Sequence, residues 1–306
     1  MRAVVVALGN FDGVHLGHRA VLARAVEEAR RMGGRVVAAT FWPHPRSVIG
    51  RGEQPGLLTT LEARREELLR VGADEVRVIP FDEALSKKSP EAFVADVLVG
   101  DLRAAAVVVG ENFRFGYKAA GNVGDLVRIM REHGGDAYAV EVQGGGEGIS
   151  STRIRSLLLG GEVAEAEELL GRPYTVRGEV VLGNRRGRTI GFPTANVRPD
   201  PAVVVPARGV YACAVHVGED VYAACTNVGV APTFERGESR IEAHLLDFGG
   251  GLYGQIVEVR FLQWIRGERR FSGVDELKEQ IGRDVEEARR LTGATRDPAS
   301  EGRGWH

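Results

Sequence analysis

The sequence predicts two domains of different class. An α/β domain on a doubly wound parallel sheet comes first, and an antiparallel sheet, sandwich or small antiparallel β-barrel with a C-terminal helix follows. Three observations predict this. The first half alternates short apolar runs with helical patterns, which implies βα units. Near Gly171-Arg172-Pro173 the pattern changes to strands that alternate apolar and polar residues between Gly-, Pro- and Asp-rich turns. The length of 306 residues favours two domains over one.

The strands predicted in the first half are Val4–Leu8, Val36–Phe41, Val76–Pro80, Ala105–Val109 and Ala137–Val142. They are apolar on both faces, as buried parallel strands are. Helical patterns at His18–Arg31, Leu61–Val71, Pro90–Val99 and Val123–His133 lie between them, and ligands should gather at the strands' carboxyl ends. Two short helices follow, near Thr152–Leu159 and Val163–Leu170. The second half reads as strands at Tyr174–Leu182, Val210–Val217, Val221–Asn227, Arg240–Asp247 and Ile256–Leu262. A helix at about Asp275–Leu291 carries Leu277, Ile281, Val285, Ala288 and Leu291 along one stripe. The expected boundaries are 1–170 and 171–292, with 293–306 as a disordered tail.

Composition narrows the function classes. Forty Lys+Arg against 42 Asp+Glu argue against a chain-wide nucleic-acid footprint. Cys213 and Cys225 sit in strand-like runs without zinc or redox spacing, so buried reduced thiols are expected. No apolar run approaches a membrane span, and the first residues lack a signal-peptide pattern. The expectation is a cytoplasmic protein with small-molecule substrates and neither a nucleic-acid nor a membrane partner. No feature specifies an oligomeric state. The four lysines, Lys87, Lys88, Lys118 and Lys278, follow no glycine, so G-x-x-x-x-G-K-[ST] is absent and phosphates need another cradle.

One such cradle follows the first strand. Gly9-Asn10-Phe11-Asp12-Gly13 lets the backbone approach a ligand and leads into a helix whose free N–H groups favour anions. His15 and His18 share a face of that helix and can donate hydrogen bonds to a polyphosphate. Ser151 and Thr152 read as helix caps. Arg153 and Arg155 in the same turn oppose the helix dipole, a conflict that a bound polyphosphate removes. A second candidate site is Gly187-Arg188-Thr189-Ile190-Gly191-Phe192-Pro193-Thr194-Ala195-Asn196, after the first barrel strand. Thr194 and Asn196 share a face of an extended segment, and their hard oxygens suit Mg²⁺. Arg185, Arg186 and Arg188 lie on the loop before them, placed to close over ATP, although a polar turn with solvated arginines accounts for them equally well.

The motif H-x-G-H after strand one, with the late S-S-T-x-I-R, is similar to the nucleotidylyltransferase superfamily. The form G-N-F-D-G-V-H-x-G-H resembles bacterial FAD synthetase in particular. Thr40–Pro45 (TFWPHP) and Gly110–Gly116 (GENFRFG) match further blocks of that family. The resemblance implies that His15 and His18 stabilise phosphates and that Gly9, Asn10, Phe11, Gly13, Ser151, Thr152 and Arg155 hold ATP. It places Asn112, where many relatives have Asp, against the flavin. The block G-F-P-T-A-N resembles riboflavin kinase, as do Thr226–Gly229, Pro232–Phe234, Ile241–His244 and Arg266–Phe271. That family has a six-stranded barrel with a trailing helix. The likeness implies Glu242 as general base, Thr194 and Asn196 on Mg²⁺, Gly187 and Arg188 at the nucleotide, and Arg266 and Glu268 on the flavin side. Together the domains resemble the bifunctional bacterial riboflavin kinase/FAD synthetase family, which makes FMN from riboflavin and FAD from FMN, using ATP at both steps. Two alternatives stand beside this reading. Nicotinamide mononucleotide and phosphopantetheine adenylyltransferases also carry H-x-G-H, and turnover with each acceptor separates them. A flavin-responsive regulatory module would release neither pyrophosphate nor ADP.

Overall fold

The computed structural model describes residues 2–50, 56–141, 148–183, 187, 190–230 and 239–294. Arg185, Arg186, Arg188, Val142, the Pro232–Phe234 block and residues 295–306 of the expected tail lie outside the described residues. The chain divides into two compact units, Met1–Ser151 and Thr152–His306.

In the first unit the strands are β1 (Val4–Leu8), β2 (Arg35–Trp42), β3 (Glu75–Pro80), β4 (Ala104–Gly110) and β5 (Asp136–Val140). They form one parallel sheet in the order β3-β2-β1-β4-β5. The main helices are α1 (Leu16–Arg31), α2 (Leu61–Arg70) and α3 (Val123–Glu132). Successive strand residues face opposite sides, so the sheet feeds two cores. Val5, Ala7, Val36, Ala38 and Val108 pack with Val21, Leu22 and Ala25 of α1. Val6, Leu8, Val37, Phe41 and Val109 pack with Phe93, Leu98 and Ile129 on the other side. This double burial explains why β1 is apolar throughout. The order reverses between β1 and β4, which puts the loops after Leu8 and Gly110 beside each other at the switch point.

The predicted helix Pro90–Val99 takes a different form. One α-turn, Pro90–Ala92, continues as a π-helix, Phe93–Asp101. Phe93 and Val97, and Val94 and Leu98, are four apart and all buried, a spacing that the wider turn keeps on one face.

In the second unit α4 (Ser151–Gly160, whose first residue closes the first unit) and α5 (Val163–Leu170) precede the barrel. The strands β6 (Tyr174–Val181), β7 (Ala195–Pro199), β8 (Gly209–Val217), β9 (Asp220–Val230), β10 (Ser239–Leu245) and β11 (Ile256–Arg266) close in the order β10-β7-β6-β11-β8-β9. All described neighbours are antiparallel. Val176, Tyr211, Cys213, Ile241, Ala243, Val259 and Phe261 are buried and turn inward. α6 (Val274–Ala294) covers Val210, Ala212 and Cys225 through Val285, Ala288 and Leu291. It runs three residues beyond the predicted end, so Gly293 and Ala294 are helical where a tail was expected.

The reading of the sequence set a boundary at 170/171, whereas the compact units part at 151/152. The physical reason lies in α4 and α5. Val163, Ala166 and Leu170 are buried, α5 packs on β6 and β11, and Ala207 N–H donates to the Leu158 carbonyl at 2.9 Å. β7 is a strand that alternation alone did not separate from its loop, because it is five residues long and ends in Pro199.

Candidate active sites

The first site is the turn after β1. Phe11 and Val14 have φ of 51° and 42°, and Gly13 has 84°. Left-handed backbone at a β-branched valine is strained, and the surroundings must hold it there. Asp12 supplies most of that hold. Its carboxylate is buried and accepts from Leu58 N–H at 3.0 and 3.1 Å, from Thr59 N–H at 3.2 Å and from Arg64 Nη2 at 3.1 Å. Arg64 is itself fully buried. Its Nη1 donates to the Asn10 carbonyl at 2.9 Å, which also accepts from the Thr40 hydroxyl at 2.8 Å. Gly13 N–H donates to Thr59 Oγ1 at 3.2 Å. The Ser151 hydroxyl, at the start of α4, donates to the Asp12 carbonyl at 2.9 Å. Asp12 and Thr40 lay in motifs noted in the sequence but were given no role there, and Thr59 and Arg64 were not singled out. The visible signal was the Asp inside G-N-F-D-G and the acceptor-rich T-T-L-E-A-R at 59–64.

His15 caps α1, its Nδ1 accepting from His18 N–H at 3.3 Å, which puts its ring proton on Nε2. The two imidazoles stack with centroids 3.6 Å apart and planes 16° from parallel. The edge of Phe11 meets His18 at 5.2 Å. His18 Nδ1 is buried and has no hydrogen-bond partner among the described residues. Burial, then the charges of His15 and Arg64, hold the His18 pKa well below the usual histidine value. The ring is therefore neutral near pH 7 and offers a polarised N–H at a helix N-terminus. Gly9 and Asn10 are half-buried at the mouth of this turn.

Asn112 is exposed just beyond β4, at the switch point that β4 shares with β1. Phe113 and Phe115 stack beside it, with planes 13° apart and centroids 5.6 Å apart, on the margin of the core. The unit thus presents an anion cradle after β1 and an aromatic margin after β4. Thr152 and the buried Arg155 lie in the first turn of α4 and belong to the second unit by packing.

The second site lies on the outer wall of the barrel. Ile241 and Ala243 fill the interior, so Glu242 turns outward, half-buried. β10 pairs with both β7 and β9, and Glu242 stands opposite Asn196 on one side and Asn227 on the other. Asn196 is buried, and its amide lies against Gly183, where any side chain would collide with it. Gly187 is likewise bare because a Cβ there would meet the Phe192 carbonyl, and Phe192 N–H donates to the Gly187 carbonyl at 2.9 Å. Thr194 is half-buried near Gly187. His244 is hydrogen-bonded through Nδ1 to the Pro193 carbonyl at 2.7 Å and meets the Phe192 ring edge-on, tying the G-F-P-T-A-N loop to β10. Arg240 Nε donates to Asn196 Oδ1 at 2.8 Å, Nη2 donates to the same oxygen, and Nη2 is 2.5 Å from Glu242 Oε1. Asn227, His244 and Arg240 are site residues that sequence reasoning had not assigned.

Thr194, Asn196 and Glu242 are thus brought together. Arg266 is directed elsewhere. It forms a forked pair with Asp284 of α6 at 2.6–3.1 Å and donates to the Gly267 carbonyl, so it anchors the segment that carries Glu268. A Glu268 carboxylate oxygen lies over Gly229 on β9. Burial pushes both thiols up, Cys225 to about 12, and so favours the protonated thiol over the thiolate.

Fold and sites together define a class, a two-domain enzyme with a nucleotidylyltransferase-type sheet and a kinase-type barrel. A family model described as FAD synthetase matches residues 1–153, and one described as riboflavin kinase matches residues 170–292. The bifunctional riboflavin kinase/FMN adenylyltransferase of Bacillus subtilis is 38% identical over 93% of this chain and 91% of its own. The protein of the same name from Escherichia coli K12 is 40% identical over 95% of this chain and 94% of its own. The chain belongs to the bifunctional riboflavin kinase/FMN adenylyltransferase family. A solved structure described as a macrolide-efflux protein from Streptococcus pneumoniae superposes with a TM-score of 0.87 at 34% identity, covering 94% of each chain. That description names a transport role, but no described helix of this chain is long and apolar enough to cross a membrane.

Proposed function

We propose that the chain phosphorylates riboflavin with ATP to give FMN and ADP, and then adenylylates FMN with a second ATP to give FAD and pyrophosphate. The observation that carries this reading is the presence of both sites in one chain, the product of the barrel being the acceptor that the first site needs. In the kinase step Glu242 takes the proton of the ribityl 5′-hydroxyl, whose oxygen attacks the γ-phosphorus while ADP leaves. Asn227 borders the same row, and Glu268 lies on the flavin side. Gly187 and Arg188 hold the nucleotide.

Thr194 and Asn196 are the residues that would hold Mg²⁺. Nucleotide phosphates and water would complete the shell, as is usual for Mg²⁺. The donor set fits a hard cation, provided that Arg240 leaves the Asn196 oxygen. Mg²⁺ supplies charge neutralisation on the phosphates when bound.

In the adenylylation step a phosphate oxygen of FMN attacks the α-phosphorus of ATP, and pyrophosphate leaves. His15 and His18 donate N–H groups to the charge that builds on the phosphates, and Gly9, Asn10, Phe11 and Gly13 form the backbone cradle. Ser151 holds the cradle closed, Thr152 and Arg155 take the ATP tail, and Asn112 takes the flavin edge. We assign adenylylation to residues 1–170 and the kinase to 171–292, and place the enzyme in the cytoplasm, where ATP and free flavin meet. The test is chromatography of flavins after incubation with riboflavin, ATP and Mg²⁺. FMN should appear first and FAD later, and the absence of either product rejects that half of the reading.

A further inference from the structure

We propose that Arg240 is a positioning residue of the kinase site, which occupies the metal's place on Asn196 until the metal-bound nucleotide displaces it. The inference rests on the reading of Asn196 as a metal ligand and of Glu242 as the base. Arg240 and Glu242 are two apart on β10 and share its outer face. The guanidinium gives two N–H groups, Nε and Nη2, to one oxygen, Asn196 Oδ1. An amide oxygen has two lone pairs, and both are thereby used. The same two donors identify the atom as oxygen rather than nitrogen. The amide has little room to move, because it is buried against Gly183. A metal ion and the arginine therefore exclude each other at this oxygen, and their like charges oppose any shared occupancy.

Nη2 also contacts Glu242 Oε1 at 2.5 Å. Arg240 thus links ligand and base while the nucleotide is absent, which spares two polar groups from facing each other unpaired. Once the metal-bound nucleotide takes Asn196, the guanidinium keeps Glu242 as its partner and holds the carboxylate in a defined orientation. Two effects of opposite sign follow from one side chain. Arg240 weakens metal-nucleotide binding, because the competent state must first be uncovered, and it supports turnover by orienting the base.

The test uses the full chain with Mn²⁺ and ADP, and Mn²⁺ binding is read by electron paramagnetic resonance. The site that Asn196→Ala removes is the kinase site, which separates it from nucleotide binding elsewhere. At that site Arg240→Gln should bind Mn²⁺-ADP ~3–10-fold more tightly than the parent, as expected when a minority competent state becomes the majority. Arg240→Lys should fall between, since an ammonium is a single point donor. In steady state Arg240→Gln should lower kinase kcat while its Mg²⁺ half-saturation also falls, and FAD formation from supplied FMN should not change. A residue of merely structural importance would lower kcat without tightening the metal. Unchanged or weaker Mn²⁺-ADP binding in Arg240→Gln, at a site that Asn196→Ala still removes, overturns the proposal and leaves the metal assignment intact. If Asn196→Ala leaves the Mn²⁺ signal untouched, the metal assignment itself fails, and the proposal with it.

Discussion

Arg64→Met should cost the first unit roughly 3 kcal/mol of stability and most of its FAD-forming activity, with FMN formation retained. Arg64 and Asp12 form a pair whose side chains are 0% and 1% exposed. Removing one member of a buried pair typically costs about 3–5 kcal/mol, because the other charge is left without compensation. The lower end applies here, since Asp12 keeps the N–H groups of Leu58 and Thr59, and the Asn10 carbonyl keeps the Thr40 hydroxyl. Methionine fills much of the vacated space, so the loss is electrostatic rather than a cavity. For a unit of this size, ~3 kcal/mol lowers the midpoint by about 6–12 °C. Calorimetry of the full chain should show the shift in one transition, and chromatography should show FAD formation falling well below it in temperature, because the turn at Phe11–Val14 loses its anchor. The double variant Asp12→Asn/Arg64→Met removes both charges and should recover part of the loss. A single variant within about 1 kcal/mol of the parent would refute the reasoning, since the pair would then contribute little. So would a double variant that is additive.

The other predictions address the two chemistries and the domain boundary. His18→Ala should reduce FAD formation by roughly 10²–10³ and leave FMN formation intact, and equal losses in both would contradict the placement of the sites. The lowered pKa of His18 means that below about pH 6.5 the unfolded chain binds more protons there. Stability of the first unit should therefore fall on acidification through that value, by at most ~1.4 kcal/mol per pH unit per proton, and stay level above it. His18→Gln should flatten that slope, and identical pH profiles for variant and parent would exclude His18 as its source. Glu242→Gln should lower kinase kcat by on the order of 10²–10⁴ with an unchanged melting point, and a rate within a few-fold of the parent removes it as the base. A chain starting at Thr152 should make FMN but no FAD, and it should outlast one starting at Gly171, which loses the buried Val163 and Leu170. Those two side chains are worth roughly 1.5–3 kcal/mol each, so equal melting points would show that α5 contributes nothing to the barrel.

Periodicity and motif spacing, read from the sequence by itself, determined the fold class. The apolar runs before and after residue 171 differ in period because parallel strands are covered on both faces and barrel strands on one. His15 and His18 were legible as a pair because helix geometry places them together, and Glu242 was legible as outward-facing because β-alternation does. What only the tertiary structure decided are contacts between residues far apart in the chain. Arg64 reaches Asp12 across 52 residues, and Arg240 reaches Asn196 across 44. Such contacts leave no periodic trace, and a charged residue in a polar pattern reads as solvated until its neighbours are known. The same holds for α5, whose helical pattern was plain in sequence but whose partner, the barrel, was not. Local spacing reports what a segment can bury, and strand order and closure alone settle against what.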